Sequence, residues 1–219
     1  MPARLKAVLF DLDGTLVDTA PDLLGALDDV RADLGLAPLA TPLPAAIAAR
    51  GGRGILTLGL PEINDAAETC LPRYLQVYER RIAQASKPYP GIEALLDDLH
   101  ERGTACAIVT NKPEGLARLL IAKLGWTGRF AALVGGDTLA QRKPFPQPVL
   151  RACELVRVDP AQAAMVGDDA RDIEAGKAAG CAWTIACAYG YVEAPERLDS
   201  WGGDAIARAP EELVGLLCR

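Results

Sequence analysis

Histidine is almost missing from this chain: His100 is the single one in 219 residues. It falls on a predicted helix far in sequence from every acidic cluster, which argues against histidine-based phosphoryl transfer and against a serine–histidine–acid hydrolase. Paired cysteines are missing too. Six cysteines stand at 70, 106, 153, 181, 187 and 218 with no C-x-x-C spacing, so neither a zinc ribbon nor a redox motif is indicated. Several lie in apolar stretches, where a reduced thiol packs as a small hydrophobe. Basic residues are in deficit, 23 against 29 acidic ones for a net charge of -6, and no dense basic patch offsets this, so nucleic acid is not an expected partner. No apolar run is long enough to span a membrane. The first one is broken at Asp11, too early for a signal peptide, and a cytoplasmic protein is expected. Internal repeats are absent, and the nearest approach to low complexity is the Ala/Pro-rich stretch 37–49.

What is present begins with Asp11-Leu12-Asp13-Gly14-Thr15, directly after the apolar segment Ala7-Val8-Leu9-Phe10. Four specified positions in this many residues would arise by chance in on the order of one chain in a thousand. Two carboxylates two residues apart at a strand end suit an acidic phosphoryl-transfer site. A phosphate monoester repels an anionic nucleophile, so a divalent cation, Mg2+, is expected to bridge the two. Asp11 is then the nucleophile, forming an aspartyl phosphate. Asp13 is the acid and base, protonating the departing alkoxide and later taking a proton from water. Gly14 lets the backbone turn beside the phosphate.

Three further segments supply the remaining parts. Ala105–Val109 runs into Thr110-Asn111-Lys112-Pro113, where Thr110 and Asn111 are placed to donate to phosphoryl oxygens and Pro113 to open the next helix. In Gln141-Arg142-Lys143-Pro144-Phe145-Pro146, Lys143 stands ahead of a helix starting near Pro146 and can offset transition-state charge. The run Ala163–Val166 leads to Gly167-Asp168-Asp169-Ala170-Arg171-Asp172. Mg2+ takes few protein carboxylates and keeps several waters, so Asp168 joins Asp11 and the main-chain carbonyl of Asp13 as a direct ligand, with Asp172 in the outer shell or on a metal-bound water. Asp169 suits a helix N-terminus.

Short apolar segments near 6–10, 104–109, 131–135, 163–166 and 182–186 alternate with helical patterns such as Ile92, Leu95, Leu96, Leu99 and Leu116, Leu119, Leu120, Leu124. This alternation predicts an α/β fold, a parallel sheet covered on both sides, with ligands at the strands' carboxyl ends. The interval between the first and second strands is far too long for one crossover helix. Residues 18–87 are therefore expected to form an inserted helical unit, leaving 1–17 and 88–219 as the core. Leu23, Leu24, Leu27, Val30 and Leu34 make one apolar stripe there, and Leu71, Leu75, Tyr78 and Ile82 another. Thr19-Ala20-Pro21-Asp22 reads as a capping box, and Lys87-Pro88-Tyr89-Pro90-Gly91 as a hinge or rigid linker. Such a cap would exclude water and open for exchange. Within it, Arg50-Gly51-Gly52-Arg53-Gly54 is either a simple turn or a loop whose Arg50 or Arg53 grips an anionic group on the substrate. Tyr189 and Tyr191 suit a pocket wall and a core position equally.

These segments together resemble the haloacid-dehalogenase superfamily phosphatases, in the group similar to phosphoglycolate phosphatases, over essentially the whole chain. The four superfamily motifs correspond to Asp11-x-Asp13-Gly14-Thr15, Thr110-Asn111, Lys143-Pro144 and Gly167-Asp168-x-x-x-Asp172, in order. The resemblance implies a Rossmann-like core with an inserted α-helical cap domain, a Mg2+-dependent phosphoaspartate mechanism and a small phosphorylated metabolite as substrate, in a monomer or homodimer. The presence of Asp13 separates it from dehalogenases. The stretches Tyr189-Gly190-Tyr191 to Trp201-Gly202-Gly203-Asp204 and Arg50-Gly51-Gly52-Arg53 also resemble a subgroup acting on N-acetylmuramic acid 6-phosphate. A carboxylate on either substrate would meet Arg50 or Arg53. A sugar phosphomutase shares the motifs, and a non-catalytic sensor of a phosphorylated metabolite would have lost a nucleophile or a metal ligand, which this chain has not.

Overall fold

The computed structural model describes residues 5–218. Strand β1 (Ala7–Phe10) lies inside a six-stranded sheet. From it the chain passes through the short β2 (Val17–Asp18) and leaves the sheet by α1 (Ala20–Asp33), a 3-10 turn over Ala45–Arg50, α2 (Gly51–Gly59), α3 (Ala66–Thr69) and α4 (Leu71–Arg81). It returns by β3 (Lys87–Pro88), which pairs antiparallel with β2, so the outgoing and incoming strands run side by side. Then follow α5 (Ile92–Glu101), β4 (Ala105–Val109), α6 (Glu114–Lys123), β5 (Ala132–Val134) and α7 (Gln147–Val156). The last part holds β6 (Ala163–Gly167), α8 (Ala170–Ala178), β7 (Trp183–Cys187), β8 (Ala205–Ala207) and α9 (Glu212–Leu217).

The large sheet has the order β5-β4-β1-β6-β7-β8, and each neighbouring pair is parallel. The fold is thus α/β and Rossmann-like, with all five expected strands in it. Strand β8 was not expected, because Ala205-Ile206-Ala207 at the sheet edge is too short to carry a pattern. Pairing in register brings the carboxyl ends of the central strands level: Phe10 faces Ile108 of β4 on one side and Val166 of β6 on the other. Asp11, Thr110 and Asp168 therefore emerge along one edge. Ladder bonds continue to that edge, with Asp11 N donating to Val166 O at 2.8 Å and Thr110 N to Val134 O at 3.0 Å.

Both faces of the sheet are buried, which is why its strands are continuous apolar runs. Ala7 and Leu9 point into a cluster with Val109, Met165, Val149 and Ala152, under α7 and α8. Val8 and Phe10 point the other way, into the larger core that holds Leu95, Leu99, Leu120 and Trp126. That larger core runs on without a break into the inserted helices, through Leu12, Leu16, Leu27, Ile55, Tyr74 and Ile82.

Several local expectations are corrected. In α1 the buried face is Leu23, Leu27 and Val30, while Leu34 ends the helix at 38% exposure. In α4 the fully buried face is Tyr74, Val77 and Tyr78, and Leu71 and Leu75 are only partly buried because they line a cavity. In α6 Ala117, Leu120 and Ile121 face inward in place of Leu116 and Leu119, which sit at the margin of the core. Thr19 and Asp22 do not form a capping box. Thr19 Oγ1 donates instead to Asp13 Oδ1 at 2.6 Å, and the fully buried Asp22 carboxylate accepts from Ala85 N, Ser86 N and Ser86 Oγ where the chain comes back. The N-terminus of α1 is met from far away in sequence, by the Tyr191 hydroxyl, which accepts from Thr19 N at 2.5 Å and Ala20 N at 2.6 Å and donates to Asp18 Oδ1 at 2.7 Å.

Candidate active site

Helix α8 starts directly over the strand edge, and its cap organises the acidic cluster. Asp169 is the N-cap, accepting from Arg171 N at 2.9 Å, while Asp172 reaches back to accept from Asp169 N at 3.1 Å in a true capping box. The turn that this requires aims Asp168 and Asp172 inward toward Asp11. One carboxylate oxygen from each of the three lies within 4.8 Å of the others. Asp168 is held on both oxygens, Oδ1 accepting from Thr15 Oγ1 at 2.8 Å and Oδ2 from Tyr191 N at 2.7 Å. Gly14 takes φ +82°, and a Cβ there would lie 2.1 Å from Asp168 Oδ2, so both the turn and the close approach require glycine.

Lys143 is the counter-charge. Its ammonium lies 2.6 Å from Asp172 Oδ1 and 2.9 Å from Asp11 Oδ1, and it donates to Val109 O at 2.5 Å. Burial works to lower its pKa, but the Asp11 and Asp172 carboxylates outweigh burial and keep it raised. Burial and the neighbouring carboxylates of Asp11 and Asp172 hold Asp168 well above the usual carboxylate range. Burial likewise lifts Asp172 to about 7 against the opposing pull of Lys143. Burial is thus the main reason that both carboxyls are raised; repulsion from Asp11 adds to it, and at Asp172 the pull of Lys143 exceeds that repulsion. Asp11 Oδ1 is buried and has no hydrogen-bond partner, only the Lys143 ammonium as an ion-pair neighbour at 2.9 Å. An all-oxygen donor set with one orphaned oxygen fits a hard divalent cation.

The other predicted residues fall around this cluster in different ways. Thr110 is buried at the end of β4, its Oγ1 accepting from Lys112 N at 3.2 Å. Asn111 spends one Nδ2 hydrogen on Lys143 O at 3.0 Å, which ties two of the segments together, and its Oδ1 is buried without a partner. Asp13 faces the cavity with Oδ1 accepting from both Thr19 Oγ1 and, at 2.8 Å, Lys112 Nζ. Lys112 was missed by sequence reasoning, since a lysine after Thr-Asn carries no mark that separates it from the solvated majority. It is buried, and its Nζ also donates to the Tyr78 hydroxyl at 2.7 Å.

Arg50 and Arg53 lie on the wall of the same cavity, but each is paired with a carboxylate of the protein. Arg50 makes a two-pronged contact with Glu193, 2.6 Å on each side, and Arg53 pairs with Glu68. Tyr189 and Tyr191 are core residues: the Tyr189 hydroxyl donates to Thr15 O at 2.9 Å, its ring packs edge-on against Tyr89 at 5.1 Å, and Tyr191 is 5% exposed. Cysteines 70, 106, 153, 181, 187 and 218 are all free. Among the described residues no helix is long and apolar enough to cross a membrane.

The cavity is about 310 Å³. Asp11, Asp13, Lys143, Asp168 and Asp172 form its floor, while Leu23, Leu71, Tyr74, Leu75 and Tyr78 from the inserted helices form an apolar roof. A family model described as haloacid dehalogenase-like hydrolase matches residues 8–186, most of the chain and all of this floor. The chain belongs to the haloacid dehalogenase-like hydrolases. Within that family it is similar to a phosphoglycolate phosphatase of Xylella fastidiosa strain Temecula1, 44% identical over 209 residues that cover 95% of this chain and 91% of the relative. It is similar over a still larger share to an N-acetylmuramic acid 6-phosphate phosphatase of Pseudomonas aeruginosa, 38% identical over 218 residues, 99% of this chain and 96% of that one. A crystal structure of a predicted phosphoglycolate phosphatase from Haemophilus somnus 129PT superposes with a TM-score of 0.84, covering 98% of both chains at 24% identity. This haloacid dehalogenase-like hydrolase is a phosphatase.

Proposed function

We propose that the chain hydrolyses a small phosphate monoester, phosphoglycolate, with Mg2+ and through an aspartyl phosphate on Asp11. The observation that carries this reading is the convergence of Asp11, Asp168, Asp172 and the Lys143 ammonium on the floor of a covered cavity. Mg2+ held by Asp11, Asp168 and the main-chain carbonyl of Asp13, with Asp172 behind them, would supply the positive charge that lets one anion approach another. Asp11 attacks phosphorus while Asp13 gives a proton to the departing oxygen. Water then attacks, and Asp13 takes its proton back. Lys143, Thr110 and Asn111 hold phosphoryl oxygens, and Lys143 also holds Asp11 and Asp172 in place.

Residues 18–87 act as a cap domain over a core of 1–17 and 88–219. The side-by-side passage of β2 and β3 supports this, because a body joined at one narrow place can swing about it. Polar contacts across the boundary include Arg50 to Glu193, Arg171 Nη2 to Ala49 O at 2.7 Å, Lys112 Nζ to the Tyr78 hydroxyl at 2.7 Å and Lys123 Nζ to Ile82 O at 3.0 Å. The free cysteines suit a cytoplasmic setting.

The relatives named for phosphoglycolate and for N-acetylmuramic acid 6-phosphate act on esters that share a carboxylate. Arg50 is placed to receive it. Its present pair with Glu193 is half-exposed and screened by solvent, so a substrate carboxylate can compete with Glu193 for it. A volume near 310 Å³ is at the lower end for ligand sites and favours the smaller ester. The muramic acid relative supports the larger one as a second reading, which needs the cap to stand further open. Phosphate release from phosphoglycolate, N-acetylmuramic acid 6-phosphate, glycerol phosphate and glucose 6-phosphate, with and without Mg2+, tests both. Phosphoglycolate is expected to lead, and a neutral ester outrunning both acids would refute the assignment.

A further inference from the structure

We propose that Lys112 is a positioning residue that sets the Asp13 carboxylate for proton transfer and makes that setting depend on the seating of helix α4. This rests on the phosphatase reading above, in which Asp13 is the acid and base.

The geometry points to positioning through the way donors are shared out. Asp13 Oδ1 accepts from two groups on opposite sides, Thr19 Oγ1 at 2.6 Å and Lys112 Nζ at 2.8 Å. Oδ2 has no partner among the described residues and is left to carry the travelling proton. Two donors on one oxygen fix the rotation of the carboxyl group, so Oδ2 has one place to be. Lys112 is itself immobilised: its side chain is 5% exposed, and its Nζ donates to the Tyr78 hydroxyl at 2.7 Å and lies 4.5 Å from the centroid of that ring. Lys112 stands on the loop after β4, whereas Tyr78 belongs to α4 and Thr19 to the start of α1. Both anchors of Oδ1 are thereby referred to the inserted helices. When α4 lifts from the floor, Lys112 loses Tyr78, and the carboxylate loses the group that holds it in line.

The chemistry affected is specific. As the bond from Asp11 to phosphorus forms and the ester P–O bond breaks, the leaving oxygen takes the proton from Asp13 Oδ2 and departs as an alcohol. Water then bonds to phosphorus and returns one proton to Oδ2 as the bond to Asp11 breaks, which releases inorganic phosphate and restores both carboxyl groups. A leaving group that departs readily as an anion needs no proton in the first half, but still needs the base in the second.

The test compares 4-nitrophenyl phosphate with phosphoglycolate in Lys112→Met, Lys112→Arg and Tyr78→Phe, each checked for cooperative unfolding. In Lys112→Met the first-turnover burst of 4-nitrophenolate is expected to stay within about fivefold of the parent, while kcat for phosphoglycolate falls about a hundredfold, the scale of one general acid–base contribution. Lys112→Arg recovers part of the loss, and Tyr78→Phe shows the same dependence on the leaving group in milder form. Equal losses for both esters in the first-turnover step, or a rise in KM with kcat unchanged, would overturn the positioning role. If Lys112→Met does not fold, Tyr78→Phe decides alone, and equal first-turnover losses on both esters relative to the parent would count against the coupling. Inversion rather than retention of configuration at a chirally labelled phosphorus in the parent enzyme would instead overturn the phosphoaspartate reading on which this stands.

Discussion

On the cavity floor each charged group is held by a different segment of the sheet edge: Lys143 lies between Asp11 and Asp172, Asp168 hangs between Thr15 and Tyr191, and all are largely buried. On the roof and its rim the charged contacts are half-exposed pairs, Arg50 with Glu193 and Arg53 with Glu68, and the surface between them is leucine and tyrosine. The difference teaches how labour is divided. Charges buried together in low dielectric cannot rearrange without large cost, so the floor is preorganised for a reaction that is the same for every monoester. Exposed ion pairs and apolar side chains exchange partners cheaply, so in the proposed reading the roof is where one substrate is told from another.

Asp11→Asn strikes the floor hardest. Removing the nucleophile is expected to cut phosphate release by at least about ten-thousandfold. The melting temperature should stay level or rise, because one of three mutually repelling carboxylates becomes neutral. Phosphate release within tenfold of the parent would sink the nucleophile assignment. Chelation comes next: excess chelator should abolish turnover and lower the melting temperature. Asp168→Ala should raise the Mg2+ concentration needed for half-activity by about tenfold to a hundredfold, the scale seen when a metal's surroundings are altered. A metal titration that does not move would remove Asp168 from the ligands.

On the roof, Arg50→Gln should leave the melting temperature unchanged and lower kcat/KM for phosphoglycolate by about tenfold, with little effect on glycerol phosphate. A parallel fall for both esters would mean that the rim does not read the carboxylate. The smallest effect is expected at the junction of the two regions. Tyr191→Phe removes the hydroxyl that receives Thr19 N and Ala20 N, a capping loss of about 1 kcal/mol, which for a chain of this size is a melting shift of about 2–4 °C. No shift at all would mean that water replaces the hydroxyl without cost and that α1 needs no cap from the core.

The floor was legible because its signals are local. Asp11, Thr110 and Asp168 each end an apolar run, and parallel pairing of such runs in register brings their ends together regardless of the rest of the chain. Lys143 followed from its place in that series. Asp169 was legible as a helix-start residue for the same reason, whereas the capping box that Asp172 completes with it was not expected. At Thr19-Ala20-Pro21-Asp22 the same local pattern misled, because Asp13 and the returning Ala85-Ser86 segment offered those side chains better partners. Lys112 and Tyr191 had no local signal, since their functions lie in partners 34 and 172 residues away.

By itself the sequence determined the α/β class, the strand edge on which the acidic cluster forms, and the helical nature of the insertion, because periodicity and strand-end chemistry act over a few residues. The tertiary structure alone decided which side of α4 lines the cavity, that Arg50 and Arg53 rest on Glu193 and Glu68, and that Lys112 joins Asp13 to Tyr78. Each of these depends on how one body sits on another, and that position is set by the sum of many weak apolar contacts, no one of which is written in any short stretch of chain.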